Sequence, residues 1–295
     1  MKKRPVLLGL LVFGLLLTLF LVSLLVLGFL SGEEGSWGGA KVAVVEVKGV
    51  ILDPQPVVER LVRFRKNERV KAIVLRIDSP GGAVGPSQEI YAEVKKARQE
   101  KKVLASVGSV AASGGYYIAC AADQILANPG AITGSIGVLV ESINMEDLFQ
   151  KLGLRATVVK SGRHKDMGSP FRPMSEEERK LLQGVLDNIH EQFIRAVAEG
   201  RKLPLEKVRE LADGRVFSGD QARALGLIDG LGSLQDTIAQ AARMAGIVGE
   251  PAVIYPEKKR FSLLDLVLKE AIQVMWRTVQ ENSSQFYFLY SLPQN

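Results

Sequence analysis

Ser113 is the residue whose surroundings in the sequence best suit nucleophilic chemistry. It lies in the run AASGG at residues 111–115, which follows a predicted strand and opens a predicted helix. A helix start carries free N–H groups and the positive end of the helix dipole, so the amide of Gly114 could support a developing oxyanion. A serine at such a position is more often a simple N-cap. The small neighbours favour the catalytic interpretation because they let a substrate backbone come close.

A second glycine-rich turn ends the preceding predicted strand, with the sequence DSPGG at residues 78–82. Taken alone it is a tight turn, but successive glycines at a strand end can also present N–H groups to an anion. Gly82 and Ser113 lie 31 positions apart, which is about one β–α–β unit. The two turns could therefore supply a nucleophile and both oxyanion donors, with the second N–H coming from Gly81 or Gly82.

A serine nucleophile needs a base, and the run SGRHKD at residues 161–166 offers two candidates. His164 is one of them, and Lys165 is the other. Lys165 could act only as the neutral amine, so burial or a neighbouring cation would have to lower its pKa by several units from about 10.4. A lysine in a loop is more often a solvated surface residue. The residues alone leave the choice open.

The composition excludes several other kinds of site. The chain of 295 residues contains one Cys and two His, which excludes an internal disulfide, a multi-thiolate metal site and a histidine-rich metal centre. The charged fraction of 24% and the hydrophobic fraction of 47% are those of a folded protein. We therefore expect catalysis by Ser, Lys, Asp, Glu or backbone groups, with no metal and no cofactor.

The elements that must position these residues alternate between strand and helix. Short β-branched or aliphatic runs predict strands at residues 42–47, 72–77, 103–107 and 125–127. Helical periodicity and start signals predict helices at 54–67, 86–101, 175–200, 204–212, 218–225 and 233–245. The alternation favours an α/β fold with a parallel sheet, in which sites collect at the carboxyl ends of the strands.

The amino end predicts a membrane anchor. Residues 6–30 carry no charge, and three basic residues precede them while two acidic residues follow. The length suits a transmembrane helix, and the charges place the amino terminus in the cytoplasm and the rest outside. A cleaved signal peptide is the alternative. We expect a cytoplasmic tip and anchor at 1–30, a linker at 31–40, a main domain at 41–250, and a carboxyl-terminal helix and tail at 251–295.

The carboxyl-terminal region has two apolar stretches. Residues 263–279 show helical spacing, which indicates packing in the core or at a subunit interface, with a membrane-surface helix as the alternative. Residues 286–290, with the sequence FYFLY, are apolar at a chain end. One hypothesis is that they dock into a neighbouring subunit near the active groove.

Four blocks in one order resemble the signal peptide peptidase A family, a group of membrane-anchored bacterial serine peptidases. They are DSPGG at 78–82, AASGGYY at 111–117, TGSIG at 133–137 and SGRHK at 161–165. The resemblance covers roughly residues 40–245 and the anchor. It implies a Clp/crotonase-like spiral of β–α–β units with a parallel sheet, preceded by one transmembrane helix, so that residues 41–250 form the peptidase domain.

The resemblance also implies a role for each site residue. The family uses a Ser–Lys dyad, and His164 would then be a bystander. The implied roles are the nucleophile for Ser113, the general base for Lys165, the orientation of that base for Ser135, and oxyanion donors for Gly114 and Gly82, with Gly81 as an alternative donor.

The family's substrates are remnant signal peptides, which are apolar, and its members assemble into rings or domes. The resemblance thus implies a homo-oligomer in the bacterial inner membrane, single-pass, with its catalytic domain on the outer face and no nucleic-acid partner. A related membrane Ser–Lys protease acting on a specific membrane protein is one alternative. A crotonase-like protein that binds acyl-CoA and a non-catalytic scaffold are the others.

Overall fold

The computed structural model describes residues 14–23, 39–255 and 287–289. The chain divides into two units, Met1–Gly39 and Ala40–Asn295. In the first unit, residues 14–23 are helical (α1). None of the helices in the described ranges is both long enough and apolar enough to cross a membrane. Most of the anchor predicted at residues 6–30 lies outside those ranges.

The second unit is an α/β domain built on a mostly parallel sheet. Its strands are β1 (Lys41–Lys48), β2 (Val70–Ser79), β3 (Gly81–Ala83), β4 (Lys102–Ala112), β5 (Gln124–Ala127), β6 (Ile132–Gly134), β7 (Val216–Ser218), β8 (Gly230–Leu231), β9 (Ala252–Ile254) and β10 (Tyr287–Leu289). Its helices are α2 (Gln55–Lys66), α3 (Val84–Glu100), α4 (Gly114–Ala119), α5 (Glu146–Lys151), α6 (Glu176–Arg201), α7 (Leu205–Leu211), α8 (Gly219–Leu225) and α9 (Leu234–Met244).

The main sheet has the strand order β7-β6-β4-β2-β1-β9, with β5 paired to β4 and β8 paired to β5. The pairs are parallel except β6 with β7, which is antiparallel. β3 and β10 form a separate two-stranded antiparallel pair. The predicted α/β fold with a mostly parallel sheet is therefore confirmed.

The central strands are apolar on both faces because helices cover both sides of the sheet. One face packs in a large core cluster with residues of α2, α3, α4 and α6, and the other face packs against α9. Along β1, for example, Ala43 and Val45 belong to the first cluster while Val42 and Val44 belong to the second. This pattern explains why the strands appear in the sequence as continuous rather than alternating apolar runs.

The predicted helix start at Ser175 is confirmed in detail. The Ser175 hydroxyl accepts from the Glu178 N–H at 3.2 Å, and the Glu178 carboxylate accepts from the Ser175 N–H at 3.0 Å. This capping box fixes the first turn of α6. The helix then runs for 26 residues and packs Phe193, Ile194 and Val197 into the core.

Candidate active site

Ser113 occupies a strained turn between β4 and α4. Its φ of 52° and ψ of −119° are uncommon for any residue other than glycine. The side chain is buried, at 1% exposure, and its hydroxyl has no hydrogen-bond partner. Ser113 occupies the N-cap position of α4, but its side chain makes no capping hydrogen bond, so capping does not explain the hydroxyl. A strained backbone that presents an unused buried hydroxyl is the arrangement expected of a nucleophile.

The two glycine-rich turns lie against each other. A Cβ atom placed on Gly115 would come within 2.8 Å of the Ser79 carbonyl oxygen, so the start of α4 packs directly on the turn that follows β2. Gly114 is the first residue of α4, where N–H groups lack a partner within the helix. The fold thus brings Gly114 and the turn at residues 78–82 together at the carboxyl ends of β2 and β4.

Gly81 and Gly82 differ in what their backbone groups do. The Gly81 N–H donates to Ser79 Oγ at 3.1 Å, and its carbonyl accepts from the Ile51 N–H at 2.8 Å. The Ala83 N–H donates to the Ile51 carbonyl at 2.8 Å. Because N–H and C=O groups alternate between the two edges of a strand, those of Gly82 face the edge opposite Ile51. Gly82 is therefore the better placed of the two to donate to a ligand.

Asp78 holds the strand that carries Ser113. Its Oδ1 accepts from the N–H groups of Ser109 and Val110 at 3.1 and 3.2 Å. The register between β2 and β4 shifts at this point, so that Ser79 pairs with Ala111. A Cβ atom on Gly108 would lie 2.8 Å from Asp78 Oδ2, so the carboxylate packs closely against this glycine. The Asp78 carboxylate thus fixes the end of β4, directly before the nucleophile.

Ser135 also has a positive φ, of 51°, and lies directly after β6. It is buried, and its N–H donates to the Arg215 carbonyl at 2.8 Å. Ser135 lines a cavity of about 420 Å³ together with residues of the middle of α6, including Asp187 and His190. The Nε2 atom of His190 is buried and has no hydrogen-bond partner. Sequence reasoning missed His190, because it lies inside a long helix with no motif around it.

Lys165 lies in the turn-rich segment that precedes α6. Its side chain is exposed, and its backbone N–H donates to the Gly162 carbonyl at 3.1 Å. The neighbouring Asp166 accepts from Arg172, which also bonds Glu178 at the first turn of α6. Glu177, in the first turn of α6, marks the Lys165 end of this helix, and Asp187 marks the part beside Ser135. At 1.5 Å per residue, the two lie about 15 Å apart along the helix. Among the described residues Ser113 Oγ has no hydrogen-bond partner, so Ser113 and Lys165 are not hydrogen-bonded to each other within one chain.

Arg172 pairs with two carboxylates, those of Asp166 and Glu178. Its hydrogen bonds lower the pKa of Glu178 to about 2, with help from the Ser175 N–H. Arg172 and then Lys160 hold the pKa of Asp166 well below its usual range. The other candidate base, His164, is half-buried, with Nε2 3.7 Å from Glu177 Oε1. The loop that carries both candidate bases is therefore fixed to the amino end of α6.

Among the described residues, no three His, Cys, Asp or Glu side chains lie close enough together to hold a metal ion. The buried polar groups around the strained turn are hydroxyls and backbone amides, chiefly those of Ser79, Ser113 and Thr133. Such groups suit acyl transfer by a serine nucleophile, in which the charge that develops in the reaction is an oxyanion.

Comparison with known proteins agrees with this chemistry. The model of Peptidase family S49 matches residues 95–248, and the model of Clp protease matches residues 52–131. The chain is 45% identical to the "Putative protease slr0021" of Synechocystis sp., over 70% of this chain and 75% of that protein. It is 36% identical to the "Putative signal peptide peptidase SppA" of Enterococcus faecium, over 70% of this chain and 64% of that protein.

The chain is also 33% identical to Protease 4 of Salmonella typhi, over 80% of this chain but only 41% of that longer protein. The residues that match Peptidase family S49 contain β4, the strained turn at Ser113 and all of α6, and those that match Clp protease contain the turn at residues 78–82. The chain belongs to Peptidase family S49 and is a serine peptidase.

Proposed function

We propose that this chain is a membrane-anchored endopeptidase that cleaves apolar peptides, chiefly remnant signal peptides, with a Ser–Lys dyad. The observation that carries the proposal is the buried hydroxyl of Ser113, held without a partner in a strained turn between two glycine-rich segments. Such strain persists only where the surrounding structure enforces it, at a cost of about 1–3 kcal/mol.

In the proposed mechanism, neutral Lys165 accepts the Ser113 proton while Ser113 Oγ attacks a peptide carbonyl. The tetrahedral oxyanion is stabilised by the N–H groups of Gly114 and Gly82. Protonated Lys165 then gives its proton to the leaving amine, and an acyl-enzyme remains on Ser113. A water molecule, deprotonated by Lys165, hydrolyses this ester and restores the free serine. Ser135 would orient the lysine amine.

We propose that Lys165 reaches Ser113 when copies of the chain assemble. Lys165 is exposed, and its loop lies at the first turn of α6, whereas Ser135 faces the middle of that helix. The segment between β6 and α6 exposes large apolar side chains, as the interior of an interface would require: Leu139, Ile143, Leu148, Leu152 and Val159. A ring or dome of this kind would complete each site with a residue from the next copy.

His190 is a second candidate base, and one observation favours it. It lines the same cavity as Ser135, and its Nε2 atom is buried without a hydrogen-bond partner. Histidine is the side chain that serves most often as a general base in enzymes. The two candidates differ in one respect: His190 would act within one chain, whereas Lys165 would need assembly.

The amino end supports the proposed anchoring, and the name of one relative supports the proposed substrate. The uncharged run at residues 6–30, with basic residues before it, suits a single span of the inner membrane with the catalytic domain outside. A relative is named as a signal peptide peptidase. A site held beside the bilayer would meet apolar peptides left there after secretion. A specific membrane protein is the alternative substrate, and sequencing of the products would separate the two.

The experiment is hydrolysis of an internally quenched apolar peptide by the full chain in detergent. We expect Ser113→Ala and Lys165→Ala each to lower kcat by about 10³-fold or more, since removal of a nucleophile or its base has that effect. His164→Gln and His190→Gln are the matched controls and should keep turnover within a few-fold. Loss of turnover in His190→Gln with retention in Lys165→Ala would contradict the Ser–Lys dyad.

A further inference from the structure

The parallel strands β1, β2 and β4 all begin on one face of the domain, which we call the entry face. They start there at Lys41, Val70 and Lys102, and the chain enters the domain on this face, since β1 follows directly on residues 31–40. Ser113 lies at the other end of the sheet, just beyond β4. β4 has 11 residues, so at about 3.3 Å per residue it places the site about 33 Å from the entry face.

The entry face carries an excess of positive charge. Five basic residues, which we call the basic cluster, lie near the strand starts or between α2 and β2: Lys41, Lys66, Arg69, Lys71 and Lys102. Lys41 is half-buried and the other four are exposed. The nearby carboxylates of Glu100 and Asp123 are already paired with arginines. Two further acidic residues, Glu68 and Glu250, are outnumbered by the basic cluster.

A lysine amine holds in place the turn that presents much of this charge. Lys101 Nζ donates to the carbonyls of Phe64, Asn67 and Val70 at 2.8, 2.5 and 2.7 Å. These carbonyls surround the turn between α2 and β2, which carries two members of the basic cluster. Hydrogen bonds from a charged donor are stronger than neutral ones, so the backbone of this turn is fixed. The charge is thus displayed by a rigid surface.

An aliphatic side chain projects from the same face. Val248 is 98% exposed, in the connection from α9 to β9. Gly246 and Gly249 beside it have φ values of 71° and 82°, so the chain turns sharply around this valine. The connection reaches the sheet at the entry face, because Ala252 at the start of β9 pairs with Lys41. An aliphatic tip beside basic side chains suits the interface of an anionic bilayer, where apolar burial and charge attraction act together.

The charge and the chain order favour a bilayer as the partner of this face. A second copy of the chain would bring like charges together, whereas anionic lipid head groups complement them. The uncharged run ends at residue 30, and residues 31–40 reach at most about 35 Å when fully extended. If that run spans the membrane, the entry face is therefore held within reach of the head groups.

We propose that the entry face is a membrane-docking surface, on which the basic cluster binds anionic lipid head groups while Val248 enters the head-group layer. This inference rests on the proposed function, since it takes residues 6–30 to be the membrane anchor. Docking holds Ser113 about 33 Å from the bilayer surface, the length of β4. A peptide must then extend out of the lipid to be cleaved.

The test places an environment-sensitive dye on residue 248 of the full chain in vesicles. Val248→Cys supplies the attachment point, because the one native cysteine, Cys120, is buried. Val50→Cys is the matched control, at an exposed valine just beyond the carboxyl end of β1. We expect the emission from residue 248 to shift to the blue in equimolar phosphatidylcholine and phosphatidylglycerol but not in phosphatidylcholine alone. The dye on residue 50 should give the same spectrum in both.

Removal of charge tests the basic cluster itself. Each basic residue at an anionic surface strengthens binding on the order of fivefold, so the triple variant Lys66→Gln, Arg69→Gln, Lys71→Gln should lower the ratio of docked to undocked domains about a hundredfold. The blue shift at residue 248 should then disappear. The matched control replaces three exposed lysines of α5, α6 and α7, and it should keep the shift: Lys151→Gln, Lys180→Gln and Lys207→Gln. Thermal unfolding checks that both triple variants are folded.

Flotation of the protein with vesicles at high salt tests the anchor separately, because salt screens the basic cluster but does not release a membrane span. Protein that floats with both kinds of vesicle, yet shows no shift at residue 248, would overturn the docking surface alone. A shift that survives in the Lys66, Arg69 and Lys71 variant, or equal shifts at residues 248 and 50, would overturn it as well. Protein that floats with neither kind of vesicle would overturn the proposed anchoring and this inference with it.

Discussion

The backbone N–H of Ser113 donates to the carbonyl of Gly134 at 2.8 Å. This bond continues the parallel pairing of β4 with β6, in which Ala112 lies opposite Gly134. The next residue after Gly134 is Ser135, which shares with Ser113 a φ near +50°. The sheet itself therefore sets the position of Ser113 relative to Ser135, and no flexible loop intervenes.

The strain at Ser113 predicts that removal of the nucleophile stabilises the fold. Glycine adopts the backbone angles of residue 113 without steric cost, and it also removes a buried hydroxyl that has no partner. We expect Ser113→Gly to raise the free energy of unfolding by about 1 kcal/mol while abolishing activity. Thermal unfolding measures the change. Ser87→Gly, in the first turn of α3, is the control and should destabilise, because glycine weakens the helix and the Ser87 hydroxyl donates to the Ala83 carbonyl at 2.9 Å. A lower melting temperature for Ser113→Gly would contradict the strain.

The packing of α6 on α4 predicts opposite effects at two glycines of the same helix. A Cβ atom on Gly200 would come within 2.1 Å of the Cys120 carbonyl oxygen, whereas one on Gly184 would meet nothing within 4 Å. We expect Gly200→Ala to destabilise the protein by about 1–3 kcal/mol. Gly184→Ala should stabilise it by about 0.5–1 kcal/mol. Denaturant unfolding of both variants tests the prediction, and equal effects at the two positions would contradict the packing described.

The Arg172 cluster predicts an acid-sensitive loop. The folded-state pKa of Glu178 is about 2, below its ordinary 4.5, so its contribution to stability is complete above pH 4.5 and is lost as the pH falls through 2. The contribution of Asp166 is lost in the same direction. We expect amide exchange at residues 160–178 to be slower in wild type than in Arg172→Met at pH 6. The difference between the two proteins should shrink as the pH falls from 4.5 towards 2. A difference that stays constant from pH 6 to pH 2 would show that charge does not hold this loop.

The proposed assembly predicts complementation between inactive variants. If Lys165 of one copy serves Ser113 of another, a mixture of Ser113→Ala and Lys165→Ala chains contains some intact sites. Random mixing of equal amounts after dissociation should restore about a quarter of wild-type turnover. Hydrolysis of the quenched peptide before and after mixing gives the measurement. Turnover that stays at the level of the separate variants would indicate a site built within one chain.

Much of the fold could be predicted from the sequence because burial on both faces leaves a strong signal. Residues 72–77 were predicted as a strand, and β2 contains all of them. The start of α6 at Ser175 was predicted because its capping box lies in adjacent residues. The short strands β6, β7 and β8 were not predicted. Their two or three residues pair with distant partners, and the sequence nearby carries no periodic signal.

Only the site residues that lie in short sequence motifs could be predicted. Ser113, Gly114 and Gly82 lie in short runs whose glycines mark turns, and the fold brings those runs together. His190 could not be found, since its position beside Ser135 depends on how α6 packs. The sequence could not predict the position of Lys165 relative to Ser113 either, because that position depends on long-range contacts and, in our proposal, on a second copy of the chain.

The central claim is that Lys165 activates Ser113, and the rate at which Ser113 is modified tests it most directly. Full-length wild type, Lys165→Ala and His190→Gln would be treated with a serine-directed phosphonate, and the adduct on Ser113 would be followed by mass spectrometry. The account predicts labelling of wild type and His190→Gln at similar rates and a loss of about 10³-fold in Lys165→Ala. Wild-type labelling of Lys165→Ala, with loss in His190→Gln, would contradict it.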